Sequence, residues 1–207
     1  MKGCVRHYGV NSIVNNNLLR NILNKIYYRR AEVIFSEVKK YINQGEKVLD
    51  VGAGDGLVAK RIRDRLQADV MIVDVVDYNL TDMRLIKYDG KRLPFPDSTF
   101  DKVLLSVVLH HCEDPMDVLD EAIRVSKKNI VVIESVFFSA FGKYWSYLID
   151  WYWNRLLHKV PCPLNHKTPE KWESIFTKKG LKICDSLYLG IDIWYLPEWH
   201  YLYYLEK

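Results

Sequence analysis

The chain has 207 residues, 49% of them hydrophobic and 27% charged, with a formal net charge of +4. That length suits one α/β domain with a real core and is short for two, and the composition excludes a disordered or low-complexity protein. The slight positive charge is interleaved with glutamate through residues 20 to 47, which reads as a solvated helix face and makes nucleic-acid binding unlikely as a function. Cys4, Cys112, Cys162 and Cys184 show neither CxxC spacing nor the density of a secreted scaffold, so a reducing compartment is expected. No signal-type stretch opens the chain, and no uncharged apolar run reaches the ~18 residues of a spanning helix. The sequence therefore predicts a cytoplasmic protein, soluble or peripheral to a membrane, forming a single domain over 1–207.

In chain order, residues 18 to 42 carry apolar side chains at helical spacing and stop at Gly45, predicting an N-terminal helical cap within 1–45. Short β-branched runs at 47 to 51, 70 to 74, 84 to 88, 102 to 106 and 129 to 134 read as strands of a buried parallel sheet. Between them, Leu57 to Gln67 places Val58, Ile62 and Leu66 on one stripe. A second helix starts at Asp114-Pro115, an N-cap followed by proline at the first helical position. Residues 137 to 158 form a long helical stretch, the body of a lid insertion over 137–166. Thr168-Pro169 then caps a helix that ends at Gly180, and strands near 182 to 189 and 198 to 205 close the chain as an antiparallel hairpin on the sheet edge. The expected fold class is α/β: a doubly wound, mostly parallel seven-stranded sheet of Rossmann-like type with that hairpin and a helical lid.

The segment Val48-Leu49-Asp50-Val51-Gly52-Ala53-Gly54-Asp55-Gly56 joins the first strand to the helix after it. Glycines at alternate positions let the turn form without Cβ clashes and let backbone N–H groups approach a ligand beside a positive helix N-terminus. A dinucleotide fingerprint needs its third glycine one residue later, where Leu57 stands, so the spacing is GxGxG. This favours S-adenosylmethionine over a nicotinamide cofactor.

The order of this turn, an acid closing the second strand, an acid before "LPFPDSTFD" and "LHH" after the fourth strand resembles the class I S-adenosylmethionine-dependent methyltransferases, in particular the type 11, small-molecule branch. One departure is Lys127-Lys128-Asn129, where the wider family usually has glycines before its fifth strand. The resemblance implies that Asp50 meets the amino group of the methionine moiety, while Gly52, Ala53, Gly54 and Gly56 form the cradle. It implies that Asp74 takes the ribose hydroxyls with Val75 beside it, Asp77 being the competing acid. Asp89 and Gly90 would then lie at the adenine amine, and Ser106 and Val107 beside the sulfonium.

Methyl transfer is an in-line displacement, so a base is needed only where the acceptor carries a proton that must leave. His110 and His111, at the C-terminal edge of the sheet, are the base candidates. No metal is expected, because His110, His111 and Cys112 are adjacent and cannot easily converge on one tetrahedral ion. In the lid, Phe138, Phe141, Trp145, Leu148, Tyr152 and Leu156 share one face, and Lys143, Tyr147, Asp150 and Asn154 share the other. Asp150 and Asn154 are candidate acceptor-holding residues. "DWYWN" with "PCPLNHKTPEKW" also resembles a type 11 branch with an Asp-Trp-x-x-Asn element, here Asp150, Trp151, Asn154, Asn165 and Trp172. The acceptor is expected to be a small or lipid-like molecule with oxygen slightly favoured as the methylated atom. The alternatives are an S-adenosylmethionine-binding module without catalysis, a nicotinamide oxidoreductase and, for the aromatic helix, a membrane-surface anchor.

Overall fold

The computed structural model describes residues 17–152, 163–191 and 198–207. Seven strands form one sheet: β1 (Lys47–Val51), β2 (Asp69–Asp74), β3 (Leu85–Lys87), β4 (Phe100–Ser106), β5 (Ser126–Val136), β6 (Lys182–Ile191) and β7 (Trp199–Glu206). Their order is β3-β2-β1-β4-β5-β7-β6. The first five are parallel, and β7 lies antiparallel between β5 and β6. The closing hairpin is thus at the sheet edge with its second strand turned inward. Strand order reverses between β1 and β4, which opens a crevice at their C-terminal ends where ligands of such sheets bind.

Among the described residues, five α-helices accompany the sheet: α1 (Asn17–Val38), α2 (Leu57–Leu66), α3 (Pro115–Val125), α4 (Ala140–Asp150) and α5 (Pro169–Lys178). Alternation along the strands sends side chains to two cores. Val48, Leu104, Val131 and Ile133 meet Ile34, Phe35 and Val38 of α1 and Ile62 of α2 on one face. On the other, Leu49, Val103, Leu105 and Val132 meet Val118, Leu119 and Ala122 of α3 and Trp172 and Phe176 of α5. Full burial of each large apolar side chain contributes about 1.5–3 kcal/mol, which is why the β-branched runs settle as central strands covered on both sides.

The helix starts follow their capping residues. Asp114 accepts hydrogen bonds from the Met116 and Asp117 amides ahead of Pro115, and Thr168 accepts one from Lys171 ahead of Pro169. At Lys127-Lys128-Asn129 there is no turn: β5 begins at Ser126, directly after α3. Lys127 and Lys128 are exposed on that strand and pair with Asp101 and Glu206. Asn129 accepts a 2.8 Å hydrogen bond from the buried Lys102 ammonium, which also reaches the Tyr204 hydroxyl at 2.9 Å. A strand that starts immediately leaves no loop for glycines to shape. Among the described residues, no helix is long and apolar enough to cross a membrane.

Candidate cofactor and acceptor site

The turn after β1 holds Gly52, Gly54 and Gly56 at φ +70°, +55° and +73°, the left-handed region that side chains other than glycine rarely adopt. Five of its amides are engaged within the chain. Gly52 and Ala53 donate to the Val73 carbonyl, Gly54 to Asp74 Oδ2, Gly56 to the Ala53 carbonyl and Leu57 to Asp55 Oδ1. This differs from a loop offering N–H groups to its ligand. A pyrophosphate would need those donors, whereas what this turn gathers is carboxylates: Asp50, Asp55 and Asp74.

Asp50 is 2% exposed, and its Oδ1 has no hydrogen-bond partner among the described residues. Burial, followed by the negative charges of Asp55 and Asp74, pushes its carboxyl up to about 8. Asp55 is raised mainly by burial, against the Leu57 amide and the Arg30 and Arg61 charges. Asp74 is likewise raised by burial, and the Gly54, Val76 and Val75 amides oppose that rise. A buried carboxylate without a donor is costly unless a cation or donor arrives, so these residues fit a ligand carrying an ammonium and a sulfonium. An added Cβ at Gly54 would meet nothing within 4 Å. At Gly52 it would lie 2.2 Å from Val108 Cγ2. Gly54 thus faces open space, and Gly52 is the contact between the first turn and the end of β4.

The other sequence-identified positions fall around the same edge. Asp74 ends β2 with its oxygens on the Gly54 and Val76 amides; each oxygen keeps a second lone pair for a hydroxyl donor. Asp77 is exposed and caps its own turn through Asn79. Val75, 49% exposed, offers an apolar plate beside Gly90, whose added Cβ would come within 3.2 Å of Val75 Cγ1. Asp89 is exposed and accepts from the Lys91 and Arg92 amides, which holds its carboxyl below the usual range. Ser106 ends β4. Val107 follows at φ +58°, donating to the Ile133 carbonyl at 2.7 Å. A β-branched residue in that region stores backbone strain at the rim of the crevice.

Beyond Val107, a short 3-10 turn, Leu109–His111, carries the two histidines. His110 is wholly buried, with Nδ1 2.6 Å from Glu134 Oε2, while His111 is only partly buried. Their ring centroids are 3.9 Å apart, and His166 lies 4.5 Å from His110 on the opposite connection. Tyr147 of α4 stands 5.6 Å from His166. Asn165 donates to the Cys112 carbonyl, and Trp172 is wholly buried in the core. Glu134, His166 and the Ser135–His200 pair at 3.1 Å were not singled out by sequence. The available signal was a carboxylate ending the apolar run Ile130 to Ile133.

In α4, Gly142, Ser146 and Ile149 turn inward, while Phe138, Phe141, Tyr144, Leu148, Trp151 and Tyr152 are exposed. Tyr147 on the sequence-identified polar face turns toward the histidines, and the aromatic face looks outward. Asp150 closes α4, its side chain being outside what is described, and Asn154 lies outside the described residues.

Residues 49–133 match the family model whose description is methyltransferase domain. That segment, which holds the GxGxG turn and the Leu109–His111 turn, is thus similar to S-adenosylmethionine-dependent methyltransferase domains. Over 111 residues the chain is 30% identical to an uncharacterised protein of Methanocaldococcus jannaschii, covering 52% of this chain and 54% of that protein. It is 34% identical over 90 residues to a demethylmenaquinone methyltransferase of Renibacterium salmoninarum, covering 40% and 38% respectively. The match thus spans about half or less of the length of these relatives. A Haloferax volcanii methyltransferase, solved with a methyltransferase activator, shares the fold with a TM-score of 0.68 at 14% identity, over 97% of this chain and 98% of that one. Geranyl diphosphate C-methyltransferase from Streptomyces coelicolor gives 0.66 at 11% identity, over 85% and 76%.

Proposed function

We propose that this chain transfers a methyl group from S-adenosylmethionine to a small, apolar acceptor bound beside α4, with oxygen as the first candidate atom. The carrying observation is the carboxylate-lined turn whose own amides are already engaged: it suits a cationic cofactor and leaves a pyrophosphate without donors. Asp50 would receive the ammonium, Asp74 the ribose hydroxyls, and Val75 the adenine face, with Asp89 and Gly90 at its edge. Ser106 and Val107 would border the methyl group. When bound, the cofactor supplies an electrophilic methyl on a sulfonium. The chain's own contribution is to align the acceptor, exclude water and receive a proton, alignment alone being able to contribute ~7–11 kcal/mol.

His111 is the residue for that proton, since His110 is enclosed and held by Glu134. Exposed aromatics on α4 beside the crevice favour an apolar or lipid-like acceptor, and relatives named for demethylmenaquinone show small molecules as acceptors in related proteins. The reading is tested by calorimetry with S-adenosylmethionine and with NAD, followed by transfer of labelled methyl to a panel of phenols, quinols and fatty acids. Binding of NAD in preference, or cofactor binding without transfer to any extract fraction, would remove it.

A further inference from the structure

Glu134 ends the apolar course of β5 wholly buried, an unusual place for a carboxylate. It makes three short contacts, all to the turn after β4. Oε1 accepts the Val108 amide at 3.1 Å and the Leu109 amide at 2.7 Å, and Oε2 lies 2.6 Å from His110 Nδ1. The His110 ring in turn lies against the less buried His111, with centroids 3.9 Å apart and planes tilted by 47°. Glu134 therefore holds both the backbone leading to the histidines and the ring behind the outer one.

We propose that Glu134 and His110 are a buried positioning pair, in which the carboxylate fixes the His110 tautomer and the His110 ring holds His111 in place to take the acceptor's proton. The inference rests on the methyltransferase reading, since it assigns the destination of that proton. As the acceptor atom bonds to the methyl carbon, the carbon–sulfur pair stays on sulfur, and the acceptor's proton passes to the His111 imidazole and then to solvent. An anion behind the ring favours the protonated imidazole, so the pair both orients His111 and raises its basicity.

The groups facing this pair come from two other elements and from the turn itself. His166 and Lys167 approach from the connection before α5, Tyr147 from α4, and the Cys112 thiol from the end of the same turn. Burial pushes Glu134 up to about 7, opposed by the Leu109 and Val108 amides and by the neighbouring histidines, and pushes the Cys112 thiol up to about 12. Burial lowers Lys167. Glu134 touches both the turn's backbone and a histidine nitrogen.

Long-range proton–nitrogen spectra of the full-length chain test this without an acceptor in hand. At pH 8, wild-type His110 is expected to carry its proton on Nδ1, donated to Glu134; an Nε2-protonated ring would overturn the proposal whatever a variant does. Glu134→Gln keeps an oxygen for the two amides but turns an N–H toward His110, which should move its proton to Nε2. The His111 titration midpoint should then fall by about half a unit or more, with the melting temperature measured alongside. A folded Glu134→Gln protein with an unchanged His111 midpoint would overturn it. Wild-type calorimetry with S-adenosylmethionine in the same samples separates this failure from that of the methyltransferase reading.

Discussion

The two halves of the crevice are built on different rules. On the cofactor side, from β1 to Gly90, the turn's amides are satisfied within the turn or by the adjacent β2: they meet the Ala53 and Val73 carbonyls and Asp74, and one carboxylate, Asp50, is left for a ligand. On the acceptor side, the contacts join residues distant in sequence, such as Glu134 to His110 and Ser135 to His200, beneath a helix with an outward aromatic face. The cofactor cradle is one nine-residue turn held by the single strand beside it. The histidine side is assembled by topology from several segments: the turn after β4, the end of β5, the connection before α5 and α4.

The largest effect expected tests whether the halves touch as described. Gly52→Ala should destabilise the protein by ~2–4 kcal/mol, from overpacking and left-handed strain together, because its methyl would overlap Val108. A melt within a degree or two of wild type would show that Val108 yields freely. Asp74→Ala should weaken S-adenosylmethionine by ~1.5–3 kcal/mol, the range for hydrogen bonds to charged groups, and Asp77→Ala should leave it nearly unchanged. A reversed ranking by calorimetry would move the ribose site to the exposed acid.

Asp50→Asn should weaken the cofactor by about tenfold, ~1.4 kcal/mol, yet stabilise the ligand-free protein at pH 8. Its ordinary value is 3.8 and its folded value about 8, so the native state retains a proton that the unfolded chain releases. The resulting contribution is fully present below about pH 4 and lost as pH rises toward 8. The variant removes that loss, and each kcal/mol regained raises the melting temperature by about 2–4 °C for a chain of this size. A variant less stable than wild type at pH 8 would mean that the carboxylate has an internal partner.

The smallest stability effect is expected on the acceptor side. Phe141→Ser with Tyr144→Ser should change stability by no more than ~0.5 kcal/mol, as exposed positions usually do, and leave cofactor affinity intact. Turnover on apolar acceptors should fall. Sedimentation with anionic vesicles distinguishes the use of this face: wild-type binding abolished in the double variant assigns it to a lipid surface, and absence of binding leaves it to the acceptor itself.

Legibility in the sequence followed the same division. Strand runs, the Asp114-Pro115 and Thr168-Pro169 caps and the GxGxG turn are local signals, and the structure places an element at each. Engagement of the loop amides was not legible, because it depends on β2 lying in register beside β1. Glu134 and His166 were missed for a related reason: nothing near either residue reports that the sheet brings β5 and the connection before α5 against the Leu109–His111 turn. The outward aromatic face of α4 was visible as a stripe, but its direction depends on Gly142 lying close against Trp199.

The bare α-carbon of Gly52 has one more implication. Val108 fills the place a side chain would take there, and the Val108 amide is itself held by Glu134. If the acceptor binds at the histidine turn as proposed, a shift of the cradle on cofactor binding would reach that turn through Val108, and the influence would run equally in the other direction. Any factor by which S-adenosylhomocysteine changes acceptor affinity is therefore the same factor by which acceptor changes S-adenosylhomocysteine affinity, so one pair of titrations measures product retention and the order of substrate entry together.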